Sequence, residues 1–474
     1  MTATYKPAPE HIPPSREGLP RIPTGTPQLD AILGGGFPAH SINILMGEPG
    51  SGKTILAERL IFANAQSSQR PILYLTTLSE PLEKVVRYLQ QFEFYDEEKL
   101  TSGSIVYDSL AQELEEHGIT AVVPKLKEII KTLSPSIIVI DSFKAIHDLS
   151  TSVPDMRRML YEVAGLLTAY DTTAFLVGEY SEAQLSTYPE FAVADGMVEL
   201  ARRKHGTRDE RYLRVLKLRG SNYLEGLHAF RITASGLEVF PRLTSPEVPL
   251  AYSLQEERLS TGVVGLDTML QGGIRAGSST LIQGRTGSGK TTLALQFILE
   301  GLQRGEPSLY VNFQENPTQL ARVIQGFGFD VAEAQRKGLH LLYHSPVELQ
   351  IDSILVTLFR TIAEKKIQRV AVDSVGDLIS AASDIPRLFG YLYALVQHFS
   401  VMRVASVLTM ETTGMAPHPL EGQISALSDA ILHLQIERLG NRSMRTLQVL
   451  KARGTDHDLN VRELRITSKG VEVM

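Results

Sequence analysis

Two stretches of the chain have the residue types and spacing to hold phosphate. Gly47-Glu-Pro-Gly50-Ser51-Gly52-Lys53-Thr54 and Gly284-Arg-Thr-Gly287-Ser288-Gly289-Lys290-Thr291 both fit G-x-x-x-x-G-K-[ST], and Thr292 follows the second. Glycines at these positions let the backbone wrap so that its N–H groups face phosphate oxygens. The start of the following helix adds positive potential. Lys53 and Lys290 are placed to reach the β- and γ-phosphates of a nucleotide, and the hydroxyls of Thr54 and Thr291 to hold Mg²⁺. With glycine near 7% of residues, one such match arises by chance in about one chain in a hundred of this size. Two matches in register with an internal repeat are not chance.

A second metal handle is expected for each cradle. Asp141 ends the apolar run Ile137-Ile-Val-Ile140, and Asp373 ends Val370-Ala-Val372. An acid at the tip of a buried strand beside a phosphate loop suits Mg²⁺, usually through water; without the loop it would read as a helix cap. A third feature recurs as Lys217-Leu-Arg219-Gly220 and Lys451-Ala-Arg453-Gly454. The basic residues from Arg202 to Arg214 read as a solvated hairpin face. Lys217 and Arg219 read as functional, because their duplicates recur.

The elements that must position these residues come twice. Gly47 to Gly284 and Lys53 to Lys290 are steps of 237 residues, as is Arg21 to Arg258. Later steps are 235 (Glu80 to Glu315), 232 (Asp141 to Asp373) and 234 (Lys217 to Lys451). In each copy short apolar runs alternate with helical patterns. Ser41–Met46, Pro71–Thr76, Ser136–Asp141 and Ala174–Gly178 read as strands in the first copy. Ser279–Gln283, Ser308–Asn312, Arg369–Asp373 and Val404–Leu408 do so in the second. Continuous apolar strands alternating with helices predict an α/β fold with a mostly parallel sheet covered on both faces. The ends of the copies, about 196–239 and 430–473, are strand-rich and predict antiparallel hairpins at the sheet edge. The domains expected are a flexible segment over 1–20, a first domain over 21–240, a Pro- and Ser-rich linker over 241–257, and a second domain over 258–474.

Composition excludes several classes. Of 474 residues, 43% are hydrophobic and 21% charged, which is ordinary globular usage and not collagen, coiled coil or disorder. The chain has no cysteine, so disulfides, Cys nucleophiles and thiolate metal sites are out. No apolar run approaches a membrane span, and the Pro-rich first residues lack an apolar signal core, so a cytoplasmic protein is expected. The formal net charge is −6. It falls on residues 1–250, and the remainder is neutral, so nothing suggests broad nucleic-acid binding.

The lead-ins Thr24-Gly25…Leu29-Asp30…Gly35-Gly36 and Thr261-Gly262…Leu266-Asp267…Gly272-Gly273, the paired P-loops and the two K-x-R-G motifs resemble the KaiC-like ATPases. These are double-domain RecA-like proteins of the circadian clock, and the resemblance runs from about Arg21 to Val473. It implies two tandem RecA-like P-loop domains, ATP and Mg²⁺ as cofactors, and a homohexamer with nucleotides at subunit interfaces. It implies that Lys217, Arg219, Lys451 and Arg453 reach the γ-phosphate held by a neighbour. A KaiB-like partner is implied in the same way.

Two departures stand out. The family carries adjacent glutamates after the second strand. Here the first is replaced by Ser79 and by Gln314, leaving Glu80 and Glu315 as water-orienting candidates. General-base help is worth ~10²–10⁴ in rate, so slow hydrolysis is expected. The family also autophosphorylates a neighbouring serine and threonine in its second domain. Ser425 matches the serine, but Ala426 stands in the threonine's place. A two-site cycle is therefore excluded, and single-site kinase activity at Ser425 stays open. Two other readings remain: a RecA-class DNA recombination ATPase, which the charge balance disfavours, and a nucleotide-gated scaffold with negligible turnover.

Overall fold

The computed structural model describes residues 20–65, 70–78, 82–150, 152–205, 208–246, 256–346, 349–382, 384–412, 419–439, 442–467 and 470–474. Ser79 and Glu80 lie outside the described residues, as does the expected flexible segment up to residue 19. The chain divides into two compact units after Arg242.

In the first unit β1 (Ile42–Gly47) leads through the glycine loop into α1 (Lys53–Asn64), then β2 (Ile72–Thr76) and β3 (Ile105–Ser109). Next come α2 (Val122–Leu133), β4 (Ile137–Asp141), α3 (Val153–Ala169) and β5 (Thr173–Gly178). The unit closes with β6 (Gly196–His205), β7 (Arg208–Leu218), β8 (His228–Thr233) and β9 (Gly236–Phe240). These form one nine-stranded sheet ordered β9-β8-β7-β6-β1-β5-β4-β2-β3. Strands β6 to β3 in that order run parallel, and β7, β8 and β9 are antiparallel additions.

The second unit repeats the plan. It contains β10 (Ser279–Gly284), α4 (Lys290–Gln303), β11 (Ser308–Asn312), β12 (Leu339–Tyr343), α5 (Ile351–Lys365), β13 (Arg369–Asp373), α6 (Ile385–Val401) and β14 (Ala405–Glu411). Then follow α7 (Pro419–Leu427), β15 (Ala430–Leu439), β16 (Arg442–Ala452), β17 (Arg462–Thr467) and β18 (Gly470–Val473). Its sheet order is β12-β11-β13-β14-β10-β15-β16-β17-β18. The expected α/β class, parallel sheets and terminal hairpins are all present.

Alternating strand residues build a core on each face, as a pleat requires. Leu45, Tyr74, Val139 and Phe175 pack with Leu56, Leu60 and Ile61 of α1. Ile44, Leu73, Ile138 and Leu176 pack with Leu126, Ile130, Met156 and Leu160 of α2 and α3. The second unit repeats this, with α4 on one face and α5 and α6 on the other. Fully burying each of these apolar side chains is worth about 1.5–3 kcal/mol. In the segment expected to be a linker, Leu243 packs on the second unit's core and Thr244 O accepts from His398 Nε2 at 2.8 Å. The sequence reading missed β3 and β12, the outer edge strands. No helix among the described residues is long and apolar enough to cross a membrane.

Candidate nucleotide sites

Each phosphate loop leaves the C-terminal end of the parallel strand at the sheet's centre. Gly47 must be glycine: it sits at φ +149°, and a Cβ there would come 1.9 Å from Leu200 O. Gly284 is as confined, with Leu434 O at 2.4 Å. Gly52 and Gly289 cap the following helices at φ +106° and +108°, a left-handed turn that favours glycine. Gly50 and Gly287 also have positive φ, but open space around them.

The loops are built for an anion. Lys53 Nζ donates to Gly47 O (3.0 Å) and Glu48 O (2.9 Å). Lys290 Nζ donates to Gly284 O (2.9 Å) and Arg285 O (3.0 Å). Burial lowers the pKa of both ammonium groups. Nearby carboxylates oppose that effect. Ser51 Oγ and Ser288 Oγ are buried with no hydrogen-bond partner. Two orphaned hydroxyls and two lysines held only by carbonyls fit a polyphosphate, which would satisfy all four.

The metal handles converge in the first unit. Asp141 Oδ2 accepts from Thr54 Oγ1 (2.8 Å) and from Tyr74 OH (2.8 Å). In the second unit Asp373 Oδ2 accepts from Tyr310 OH (2.6 Å), while its Oδ1 is engaged by Thr409. Thr291 and Thr292 are half-buried at the start of α4. The peptide bonds Asp141–Ser142 and Asp373–Ser374 are cis.

Behind the first site lies a group the sequence reading passed over. Glu58 on α1 is fully buried, and its Oε2 accepts from Tyr107 OH at 2.7 Å. Burial, with the Asp141 charge added, pushes its carboxyl up to about 8, against the Tyr107 hydrogen bond. The matching residues of the second unit are Leu295, 237 positions on, and Leu341, which opposes Tyr310 as Tyr107 opposes Tyr74.

Of the glutamate candidates, Glu315 follows β11 and is half-buried. Its N–H donates to Asn312 Oδ1 (3.1 Å), and its carboxyl pKa is raised by burial and by the charge of Asp373. Gln314 Nε2 donates to Asp377 Oδ1 at 2.9 Å. Thr76 pairs with Asp141 as Asn312 pairs with Asp373, so the strand ends match at a step of 312 − 76 = 236. Counted from there, Glu315 corresponds to Ser79, one residue from the pairing with Glu80 expected above.

The K-x-R residues sit at the other end of the sheet. Lys217 lies opposite Met197, and Lys451 opposite Ile431, each beside a shift in strand register. Arg219 N donates to Asp195 O (2.9 Å), and Asp195 N donates to Ile42 O (2.7 Å). Arg219 is therefore level with the start of β1. The loop begins five residues on, roughly 16 Å away at about 3.3 Å per residue. That is beyond the reach of an arginine side chain.

One carboxylate ties this end together in each unit. Asp195 Oδ2 accepts from Ile42 N (3.1 Å) and Oδ1 from Arg219 Nη1 (3.2 Å). Asp429 Oδ2 accepts from Ser279 N (3.0 Å), with Arg453 Nη1 at 3.9 Å from Oδ1. Burial and the Arg219 charge lower the pKa of half-buried Lys217, against Asp195. Lys451 Nζ donates to Ser428 O (2.6 Å) and Ser425 O (3.0 Å), and Arg453 Nη2 to Ala426 O (2.9 Å). Half-buried Ser425 thus lies in α7, whose C-terminal carbonyls these two cations hold.

Parallel sheets with a phosphate loop at the tip of the central strand, an acid at the tip of a nearby strand and antiparallel strands at one edge define the class of RecA-like P-loop nucleotide-binding proteins. The family model described as "ATPase: KaiC" matches residues 22–244 and 259–474. The chain belongs to the KaiC ATPase family. It is similar to the circadian clock oscillator protein KaiC of Picosynechococcus sp. (strain ATCC 27264 / PCC 7002 / PR-6), with 29% identity over 96% of this chain and 90% of the relative. It is 28% identical to circadian clock oscillator protein KaiC 1 of Synechocystis sp. (strain ATCC 27184 / PCC 6803 / Kazusa), over 97% of this chain and 90% of the relative. Thermosynechococcus vestitus KaiC is also 28% identical, over 96% and 89%.

Proposed function

We propose that this chain binds ATP with Mg²⁺ at both phosphate loops and hydrolyses it slowly, as a homohexamer in which each site is completed by a neighbour. The observation that carries this reading is the separation within each unit. The phosphate loop lies at one end of the central strand, and the K-x-R cations lie at the other. A cation too far to serve its own site is suited to serve another copy's. A charge lent in this way is worth roughly 10³–10⁵ in rate.

Within each site the chain's residues have separate tasks. The loop N–H groups and Lys53 or Lys290 bind and orient the phosphates. Ser51 and Ser288 supply further hydrogen bonds. Thr54 with Asp141, and Thr291 with Asp373, would hold Mg²⁺, which neutralises charge on the β- and γ-phosphates. Glu315, half-buried just after β11, is suited to orient the attacking water. Ser425 is the one serine proposed for phosphorylation, by transfer of a γ-phosphoryl group to its hydroxyl. A role in timing rests on the names of the relatives, and a KaiB-like partner on the family resemblance alone.

Nucleotide stoichiometry tests the cradles. The full chain should bind two ATP per copy by calorimetry, each of Lys53→Ala and Lys290→Ala one, and the double variant none. A double variant that keeps both sites would overturn the assignment.

A further inference from the structure

Each unit carries one more acid at its phosphate loop, which none of the roles above uses. Strand β14 ends on Glu411, and Glu179 follows directly on β5. The step between them is 411 − 179 = 232, the same as from Asp141 to Asp373. Both carboxylates are exposed.

Their strands fix where they stand. β5 lies between the loop strand β1 and the Asp141 strand β4, and β14 between β10 and β13. Glu411 pairs with Gly284, the first residue of its loop. Met46 pairs with Gly178, and one step further in that register sets Glu179 beside Gly47. Thr412 N donates to Gly284 O at 3.1 Å, and Glu411 Oε1 accepts from Thr286 Oγ1 within the loop. Of the charges that offset the burial of Lys53, Glu179 weighs most, ahead of Asp141 and Glu48. At Lys290, Glu411 weighs more than Asp373.

An anion beside a polyphosphate cradle opposes ATP binding by repulsion, so affinity is not what it serves. Its place, between the loop and the metal acid and open to solvent, suits an acceptor for water at the γ-phosphate. The need is clear. In the first unit the strand-end count leaves Ser79, which has no carboxylate, where the second has Glu315; in the second, Gln314 has no carboxylate and Glu315 is given the water's orientation, not its proton. We propose that Glu179 and Glu411 are the water-activating carboxylates of their sites, an inference that rests on the ATPase reading above. The oxygen of a water bonds to the γ-phosphorus as the bond from that phosphorus to the β,γ-bridging oxygen breaks. The carboxylate takes the water's proton and passes it to solvent, and ADP and inorganic phosphate leave.

The test uses the full chain with ATP and Mg²⁺, comparing wild type with Glu179→Gln, Glu411→Gln and the double variant. The double variant should bind ATP as tightly as wild type or more so, while kcat falls by ~10²–10⁴. Wild-type kcat in the double variant would overturn the inference and leave the ATPase reading standing. Loss of ATP binding in the double variant would overturn it too, because the carboxylates would then be holding the loop. A wild-type chain that binds no ATP would remove the ATPase reading itself.

Discussion

A carboxyl buried without a compensating cation is neutral at low pH and costly when charged. Glu58 is such a group, with its pKa pushed up to about 8 by burial. Its folded-state pKa is above its unfolded value, so its contribution to stability is fully present below the ordinary glutamate range near 4.5. That contribution is lost as pH rises through about 8. Denaturant unfolding of the first unit should weaken by a few kcal/mol between about pH 5 and pH 9. Glu58→Leu with Tyr107→Leu, the pair the second unit already has, should flatten that slope; an unchanged slope would place the titrating group elsewhere. The P-loop lysines were legible in the sequence because loop spacing alone defines them. Glu58 was not, because a glutamate on a helix reads as solvated. Its hydrogen-bond partner, Tyr107, sits on a strand the sequence did not announce.

The elements followed the same logic. Central strands are apolar throughout and stood out, as in Ile137-Ile-Val-Ile140. The edge strands β3 and β12 are half-buried on both faces and carry Asp108, Ser109 and His340, so their pattern is weak. The register shifts beside Lys217 and Lys451 have no sequence mark at all. They matter because an irregularity at a strand pair re-aims the side chains next to it. α7 depends on that aim: the last carbonyls of a helix lack partners, and Lys451 and Arg453 supply cations to them. Lys451→Met should speed amide exchange at Ala426 to Ser428 by about tenfold, the equivalent of ~1.4 kcal/mol, while the α6 amides stay unchanged. Equal exchange in both proteins would mean the lysine does not hold this helix.

The duplication was the plainest feature of the whole molecule, since constant steps survive wherever glycines and charges are fixed by the fold. In the sequence a second copy was implied only by the family resemblance; the strand register that separates Arg219 from Gly47 gives the proposed sharing a physical reason. Light scattering should show the particle growing severalfold in mass when ATP and Mg²⁺ are added. Arg219→Ala with Arg453→Ala should slow turnover without loss of nucleotide binding. Mixing that variant with Lys53→Ala/Lys290→Ala should restore part of the lost turnover, because each would supply what the other lacks. A mixture as inactive as its components would rule out shared sites.

Asp195 and Asp429 each clasp two things at once: the first residue of the strand that ends in the phosphate loop, and the arginine proposed to serve another copy. In the proposed assembly, a tug on that arginine would be felt by the strand, and filling the loop would alter the arginine's grip in return, since such linkage is reciprocal. In the proposed assembly, sites wired in this way would turn over in step with their neighbours, and the rate would belong to the shared sites and not to any single pocket.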